Sequence, residues 1–225
     1  VLLTGFFVTE IPDTIKSLDL VKMSGFVGSS SGDTLHDFNG FIYPKVFDKR
    51  SQISTLDNDN VAGAFSYTMY RNVIHKGVAS VVNGAFEFEF VVPRDIDYTY
   101  GAGRVSLYAV DGDVDAHGAT EDFVIGGTSE NVDEDNSGPT VELFMNDSLF
   151  VKGDITNEDP WLYARLFDES GINTVGNGIG HDLKAVLDDK FESPFILNTY
   201  FSADLDTYKS GIVKYPFNDL DDGEH

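Results

Sequence analysis

The chain has 225 residues, 38 acidic against 15 basic side chains for a net charge of −23, 41% hydrophobic and 13% aromatic residues, and no cysteine. A field of that sign repels phosphate backbones and anionic headgroups, which argues against nucleic-acid and membrane-surface binding. The missing cysteine excludes disulfides, zinc thiolate sites, iron–sulfur clusters and a thiol nucleophile.

The chain opens on VLLTGFFVTE (1–10), apolar for eight residues and without a basic leader or small-residue cleavage site. It reads as a strand entering from an upstream segment. Period-two alternation then dominates, with no amphipathic helix and no apolar run near the ~20 residues of a membrane helix. Strands are expected at LVKMSGFV (20–27), FNGFIYPKVFDK (38–49), AFSYTMY (64–70), GRVSLYAVD (103–111) and EDFVIGG (121–127), separated by turn clusters such as GSSSGD, LDNDN, PRDID and DGDVDAHG.

The clearest element is GVASVVNGAFEFEFVV (77–92). Asn83-Gly84 is a two-residue hairpin turn, because both positions must take positive φ. That register sets Val81 opposite Phe86, Ala79 opposite Phe88 and Gly77 opposite Phe90. Three phenylalanines then share one face, while Glu87 and Glu89 lie on the wet face opposite Ser80 and Val78.

The acid-rich stretch TSENVDEDNSGP (128–139) ends in Gly-Pro and reads as a domain linker. The expected organisation is a β-sandwich domain over 1–130, an acidic linker over 131–138 and an Ig-like β-sandwich domain over 139–225. The second series comprises TVELFMND, PWLYARLFD, HDLKAVLD, PFILNTYF and SGIVKYPF, with the lone Trp161 expected to anchor its core. The fold class is therefore all-β, two consecutive antiparallel β-sandwiches. The stop at DLDDGEH is expected to leave the second domain incomplete at its C-terminal end, with weaker protection and an open edge.

Constellations that suggest chemistry mostly fail on context. GSSSG (28–32) fits G-x-S-x-G, but a nucleophile elbow needs a helix after it, and a loop and strand follow instead. His36 and Asp37 are too close in sequence to supply the partners. GNGIG (176–180) lacks the G-x-G-x-x-G spacing and the helix of a dinucleotide site. The histidines at 36, 75, 117, 181 and 225 form no metal-ligand pair. One calcium candidate remains, DGDVDAHGATED (111–122), which sets Asp111, Asp113, Asp115 and Asp122 at positions 1, 3, 5 and 12 of a loop. It lacks the turn glycine and the terminal bidentate Glu, so a solvated loop is the expectation; the pairs Asp57/Asp59 and Asp204/Asp206 rank below it. No cofactor and no catalytic residue is assigned.

Several strings are more specific than any of these patterns. FNGFIYPKVFDK (38–49), NVIHKGVASVVNGAFEFEFVVPRDI (72–96) and YGAGRVSLYAVDG (100–112) in the first half resemble the region C-terminal to the protease domain in the PorU family, gingipain-like (C25-type) cysteine peptidases and sortases of the type IX secretion system. In the second half GPTVELFMND (138–147), SGINTVGNGIGHD (170–182) and FILNTYFSADLDTYKSGIVKYP (195–216) do the same. The resemblance implies a parent on the extracellular face of the outer membrane that removes a C-terminal secretion signal from cargo proteins and joins the new end to anionic lipopolysaccharide. It implies as partners the upstream peptidase domain, an outer-membrane β-barrel and accessory proteins. The family's catalytic Cys and His lie in the upstream domain and match no position here, so this chain is expected to be non-catalytic scaffold and docking structure. A carbohydrate-binding or adhesin module of a surface protein is the alternative, marked by exposed aromatics clustered on one face. An independent hydrolase would need a convergent polar pocket, and no such grouping is visible.

Overall fold

The computed structural model describes residues 4–58, 63–130, 137–173 and 182–225. The chain divides into two compact units, Val1–Val132 and Asp133–His225. All regular structure among the described residues is β apart from one short 3₁₀ turn.

Among the described residues, thirteen strands build the first unit: β1 (Thr4–Glu10), β2 (Thr14–Ser17), β3 (Leu20–Ser29), β4 (Gly40–Phe47), β5 (Arg50–Ser54), β6 (Ser66–Tyr70), β7 (Val73–Lys76), β8 (Ala79–Val82), β9 (Ala85–Val91), β10 (Gly101–Ala102), β11 (Arg104–Val110), β12 (Asp115–Thr120) and β13 (Val124–Thr128). The main antiparallel sheet runs β1-β3-β9-β8-β4-β11-β12, with β7 also paired to β4. Its two end strands come back against each other, so the sheet curls almost into a barrel. Gly118 of β12 makes that approach possible: a Cβ there would sit 3.1 Å from the Phe6 ring of β1. A smaller sheet, β10-β13-β2, includes the one parallel pair among the described residues, and β5 with β6 forms a separate two-stranded arm.

Alternation decides which residues fill this unit. Val21 and Met23 of β3, Ile42 and Val46 of β4, Phe86, Phe88 and Phe90 of β9, and Val105, Leu107 and Ala109 of β11 are all buried. The turn expected at Asn83-Gly84 is present with φ of 51° and 79°, and Val81 pairs with Phe86. Glu87 faces out, 2.7 Å from the Lys22 ammonium.

Strand β8 ends at Ala79, so the expected run back to Gly77 opposite Phe90 is interrupted. Pro44 explains the break. Ile42 pairs with Ala79 and Lys45 with Lys76 in one continuous register, and Pro44, which has no N–H to give a ladder, faces the gap between β7 and β8. Strand β12 lies where the sequence shows only a turn cluster. DAHGAT has no apolar alternation, and six register pairs with β11 hold it in place.

One polar junction ties the two sheets together. Asp48 is buried, and its carboxylate accepts from the Lys49 ammonium at 2.7 Å and from the Asp97 amide at 3.2 Å. The same ammonium donates to the Asp97 carbonyl at 2.6 Å. With both charges paired and their remaining bonds filled, the cost of their burial is offset.

The second unit contains β14 (Thr140–Met145), β15 (Trp161–Phe167), β16 (Lys184–Ala185), β17 (Phe195–Ile196), β18 (Phe201–Ala203) and β19 (Ser210–Pro216). Its antiparallel sheet has the order β14-β15-β19-β18, and β16 pairs with β17 as a short ribbon. Leu162, Ala164, Leu166, Leu197, Val213 and Phe217 form the core, with Leu183, Ala185, Leu187 and Phe195 packed over it. Trp161 does not anchor this core, contrary to the sequence expectation. Leu162, Ala164 and Leu166 take the inward positions of β15, so period two turns Trp161 to the opposite face, where it is 49% exposed.

Candidate interaction surfaces

The residues singled out for chemistry do not converge. In the calcium candidate, Asp111 Oδ1 accepts from the amides of Asp113 at 3.0 Å and Val114 at 2.8 Å, so it closes the β11–β12 turn. Those two bonds hold the carboxyl below its ordinary value, the Val114 amide contributing most. Asp115 opens β12, and Asp122 lies beyond its far end, accepting from the Thr120 hydroxyl at 2.8 Å. Six strand residues at ~3.3 Å each separate Asp122 from the turn. Among the described residues no group of three or more His, Asp or Glu side chains gathers as a metal site would require.

GSSSG lies in the reversal after β3. Ser31 donates to Asp33 at 2.7 Å and shares a 2.7 Å bond with Ser29, and Gly32 donates to the Ser29 carbonyl. The cluster is a closed turn whose Ser29 and Ser31 hydroxyls are taken up by one another and by Asp33. Asp204 accepts from Ser210 at 2.6 Å and closes the β18–β19 connection. GNGIG, His181 and Asp59 lie outside the described residues, as does most of the acidic linker.

What the folding does assemble is exposed aromatic and cationic surface, in three places. On the outside of the first unit, register aligns His117 of β12, Tyr108 of β11 and Tyr43 of β4 in one row. The two tyrosine rings are 6.2 Å apart at 32°. The neighbouring rows bring Phe41 opposite Val110 and Lys45 opposite Ser106, and Lys45 also pairs with Lys76 of β7. Phe41, Tyr43 and Tyr108 are each nearly half exposed.

The β5–β6 arm is the second place. Ile53, Tyr67 and Met69 share one of its faces, and Phe65 stacks on Tyr67 at 6.5 Å. Its base is fastened by Tyr70, which lies beneath the Arg50 guanidinium at 4.8 Å and beside that of Arg104 at 5.7 Å. Glu121 receives Arg104 at 2.8 Å. The Tyr70 hydroxyl first, and Arg104 next, hold the Glu121 carboxyl below its ordinary value.

The third is the outer face of the second unit. Phe144, Tyr163 and Lys214 align across β14, β15 and β19, as do Glu142, Arg165 and Ile212 in the next row. The Phe144 and Tyr163 rings meet at 6.2 Å and 58°. Arg165 stands over both rings at 5.7 and 5.8 Å, and Lys214 over Tyr163 at 5.5 Å. Trp161 and Phe167 extend this face at either end of β15, half exposed. The alternation signalled these strands, but outward aromatics could be told from inward ones only once the register was fixed.

One titratable group packed against core rings also escaped sequence reasoning. His75 of β7 stacks on Phe90 at 4.5 Å and on Phe88 at 6.1 Å, and burial pushes its pKa down to about 3. Nothing in the string NVIHKG marks this histidine as a core residue, because only the β7–β4 register turns it toward the phenylalanines.

No family model and no curated protein matches the sequence. The crystal structure of dimeric latent PorU from Porphyromonas gingivalis does match, with a TM-score of 0.61 and 29% identity over 99% of this chain. The chain is similar to a PorU region. It spans 22% of the length of the PorU chain, so the similarity concerns a part of that protein. Two looser likenesses are Spo0M, a sporulation control protein from Bacillus subtilis, at 12% identity, 95% and 89% coverage and TM-score 0.33, and a marsupial T cell receptor at 10% identity, 96% and 88% coverage and TM-score 0.25. Those two are too distant to bear on fold or function. The similarity supports a PorU-related, non-catalytic domain of all-β architecture.

Proposed function

We propose that this chain is the non-catalytic β-domain portion of a gingipain-like sortase of the type IX secretion system, a scaffold that docks partner proteins at the extracellular face of the outer membrane. The similarity to PorU over nearly the whole chain, at 29% identity, carries this reading. Composition adds to it, since a chain without cysteine holds no thiol nucleophile for a C25-type reaction. The exposed aromatic and cationic faces supply what docking needs, because aromatic and Arg side chains dominate the energetics of protein interfaces. The partners implied are the peptidase domain of the same parent, an outer-membrane β-barrel and accessory proteins of the attachment complex.

The test is cross-linking of purified chain with the peptidase domain and the β-barrel component of such a system. Specific cross-links from the outer face of β4 and β11, from β14 and β15 or from the β5–β6 arm are expected, and Tyr43→Ala, Tyr163→Ala or Tyr67→Ala should weaken them. Absence of any cross-link above that of an unrelated acidic β-protein would overturn the docking role. Peptides spanning a secretion-signal junction should remain intact, and cleavage that scales with protein after repurification would overturn the non-catalytic assignment.

The exposed rings also keep the carbohydrate-binding alternative in play. Flat stacking against a sugar ring favours coplanar aromatics, whereas Phe144 and Tyr163 meet at 58° and Tyr43 and Tyr108 at 32°. Binding to neutral glycans on an array would favour that alternative over protein docking.

A further inference from the structure

Lys45 and Lys76 are direct cross-strand partners on β4 and β7. Residues so paired hold their Cβ atoms ~5 Å apart, and like charges in that position destabilise a sheet. The arrangement is unexpected in a chain where acids outnumber bases 38 to 15. Neither lysine makes an ion pair among the described residues; the same holds for Lys16, Lys152 and Lys214, but none of those three faces another lysine across a ladder. Lys45 instead places its ammonium 5.1 Å from the Phe47 ring centroid, and both desolvation and the facing Lys76 lower its pKa. A local rule broken at the surface, with no counter-charge among the described residues, is the kind of departure found at functional sites.

The surroundings define what would fit. One row away lie Tyr43 and Tyr108, then Phe41 and Val110. The two tyrosine rings, 6.2 Å apart, are tilted by 32° and so do not offer one flat platform to a pyranose. Two ammonium groups beside the rings would receive carboxylates, as point charges with rotatable donors. We propose that this outer face of β4, β7 and β11 docks a carboxylate-rich, aromatic-containing segment of a partner protein, its acids on Lys45 and Lys76 and its rings against Tyr43 and Tyr108. The proposal rests on the docking reading above and gives it a location and a partner chemistry. The net charge does not forbid it: at roughly 0.15 M salt the Debye length is ~8 Å, so repulsion from distant acids fades while contacts at the two lysines persist.

A random Glu/Tyr copolymer serves as the probe against the full chain at that salt, with polygalacturonate as a sugar polyanion for comparison. The copolymer should raise the melting temperature and shift amide resonances in 41–46, 73–76 and 106–110. Lys76→Glu should raise the melting temperature by itself, since opposite charges then face each other, and should weaken copolymer binding about tenfold or more, as expected for loss of a charge-assisted contact. Lys45→Gln should weaken binding without the gain in stability.

Three results would overturn the proposal: no copolymer binding, binding undiminished in both variants, or polygalacturonate binding more tightly through the same amides. The last would assign the face to an anionic glycan. Cross-linking to the secretion components is measured independently, so this surface can fail while the wider docking role stands, and the reverse.

Discussion

The His75 imidazole lies almost parallel to the Phe90 ring, with centroids 4.5 Å and planes 12° apart. In that apolar stack the cationic form is unfavourable, and burial pushes the pKa from 6.5 down to about 3. Between those two values the unfolded chain holds a proton that the folded chain does not. Stability from this residue is therefore complete above about pH 6.5 and falls as pH drops toward 3, at up to ~1.4 kcal/mol per pH unit. His75→Phe keeps the stack and removes the titration. The difference between wild type and variant in denaturant melts should be constant above pH 6.5 and should move in favour of the variant below it. A difference that is flat down to pH 3 would mean the imidazole is solvated.

Phe88 and Glu87 are chain neighbours on opposite faces of β9, one buried and the other exposed beside Lys22. Phe88→Ala should cost roughly 3–5 kcal/mol in denaturant unfolding, the usual range for truncating a core aromatic. Glu87→Ala removes only a solvated ion pair and should change the midpoint far less. Equal losses would contradict the observed register.

Trp161 is the single tryptophan of the chain, so intrinsic fluorescence reads its surroundings directly. Its emission should be that of a largely hydrated indole and should be quenched readily by iodide. Leu162→Ala should destabilise the second unit by about 2–5 kcal/mol, and Trp161→Ala by much less. A blue-shifted, protected indole would place β15 in the opposite register.

Millimolar calcium should leave the melting temperature unchanged. Asp111 Oδ1 already accepts two amides, and Asp122 stands at the far end of β12. A rise that Asp113→Ala abolishes would show that the β11–β12 turn rearranges around the ion.

Hydrogen exchange should separate the two units. Among the described residues the second unit's core holds six buried apolar side chains, while β3, β9 and β11 of the first unit alone bury more than that. Amides in 195–217 should exchange faster than those in 77–92. Equal protection would mean that the small core is stiffer than its size suggests.

Legibility in the sequence followed physical rules. The β8–β9 hairpin could be read because Asn-Gly specifies its turn and alternating phenylalanines specify its face. β12 could not be read, because its placement comes from β11 rather than from its own side chains. β5 and β7 were hidden for the same reason, being short and weakly alternating. Trp161 misled because a large aromatic suggests a core, yet the smaller Leu162 and Ala164 decide the phase of β15. The Lys45–Lys76 contact joins residues 31 positions apart, and it exists only once both strands lie on a common register. Spacing along the chain shows no such pair.

Gly118 against Phe6 has a consequence for the order in which the molecule can form. The strands that meet there are separated by more than a hundred residues, so the seam that closes the first unit joins some of its most distant parts. Contacts of such long range slow folding, because the loop between them must be confined before any energy returns. Until residues 115–120 have emerged, β11 carries a raw hydrogen-bonding edge, and β1 lacks the packing that β12 gives it. In a chain delivered from its N-terminal end, β1 waits on that side across more than a hundred residues, whereas β11 waits only for the four residues that separate it from β12. Any shielding of that flank of β1 has to last until β12 is in place, and the seam fixes when it can end.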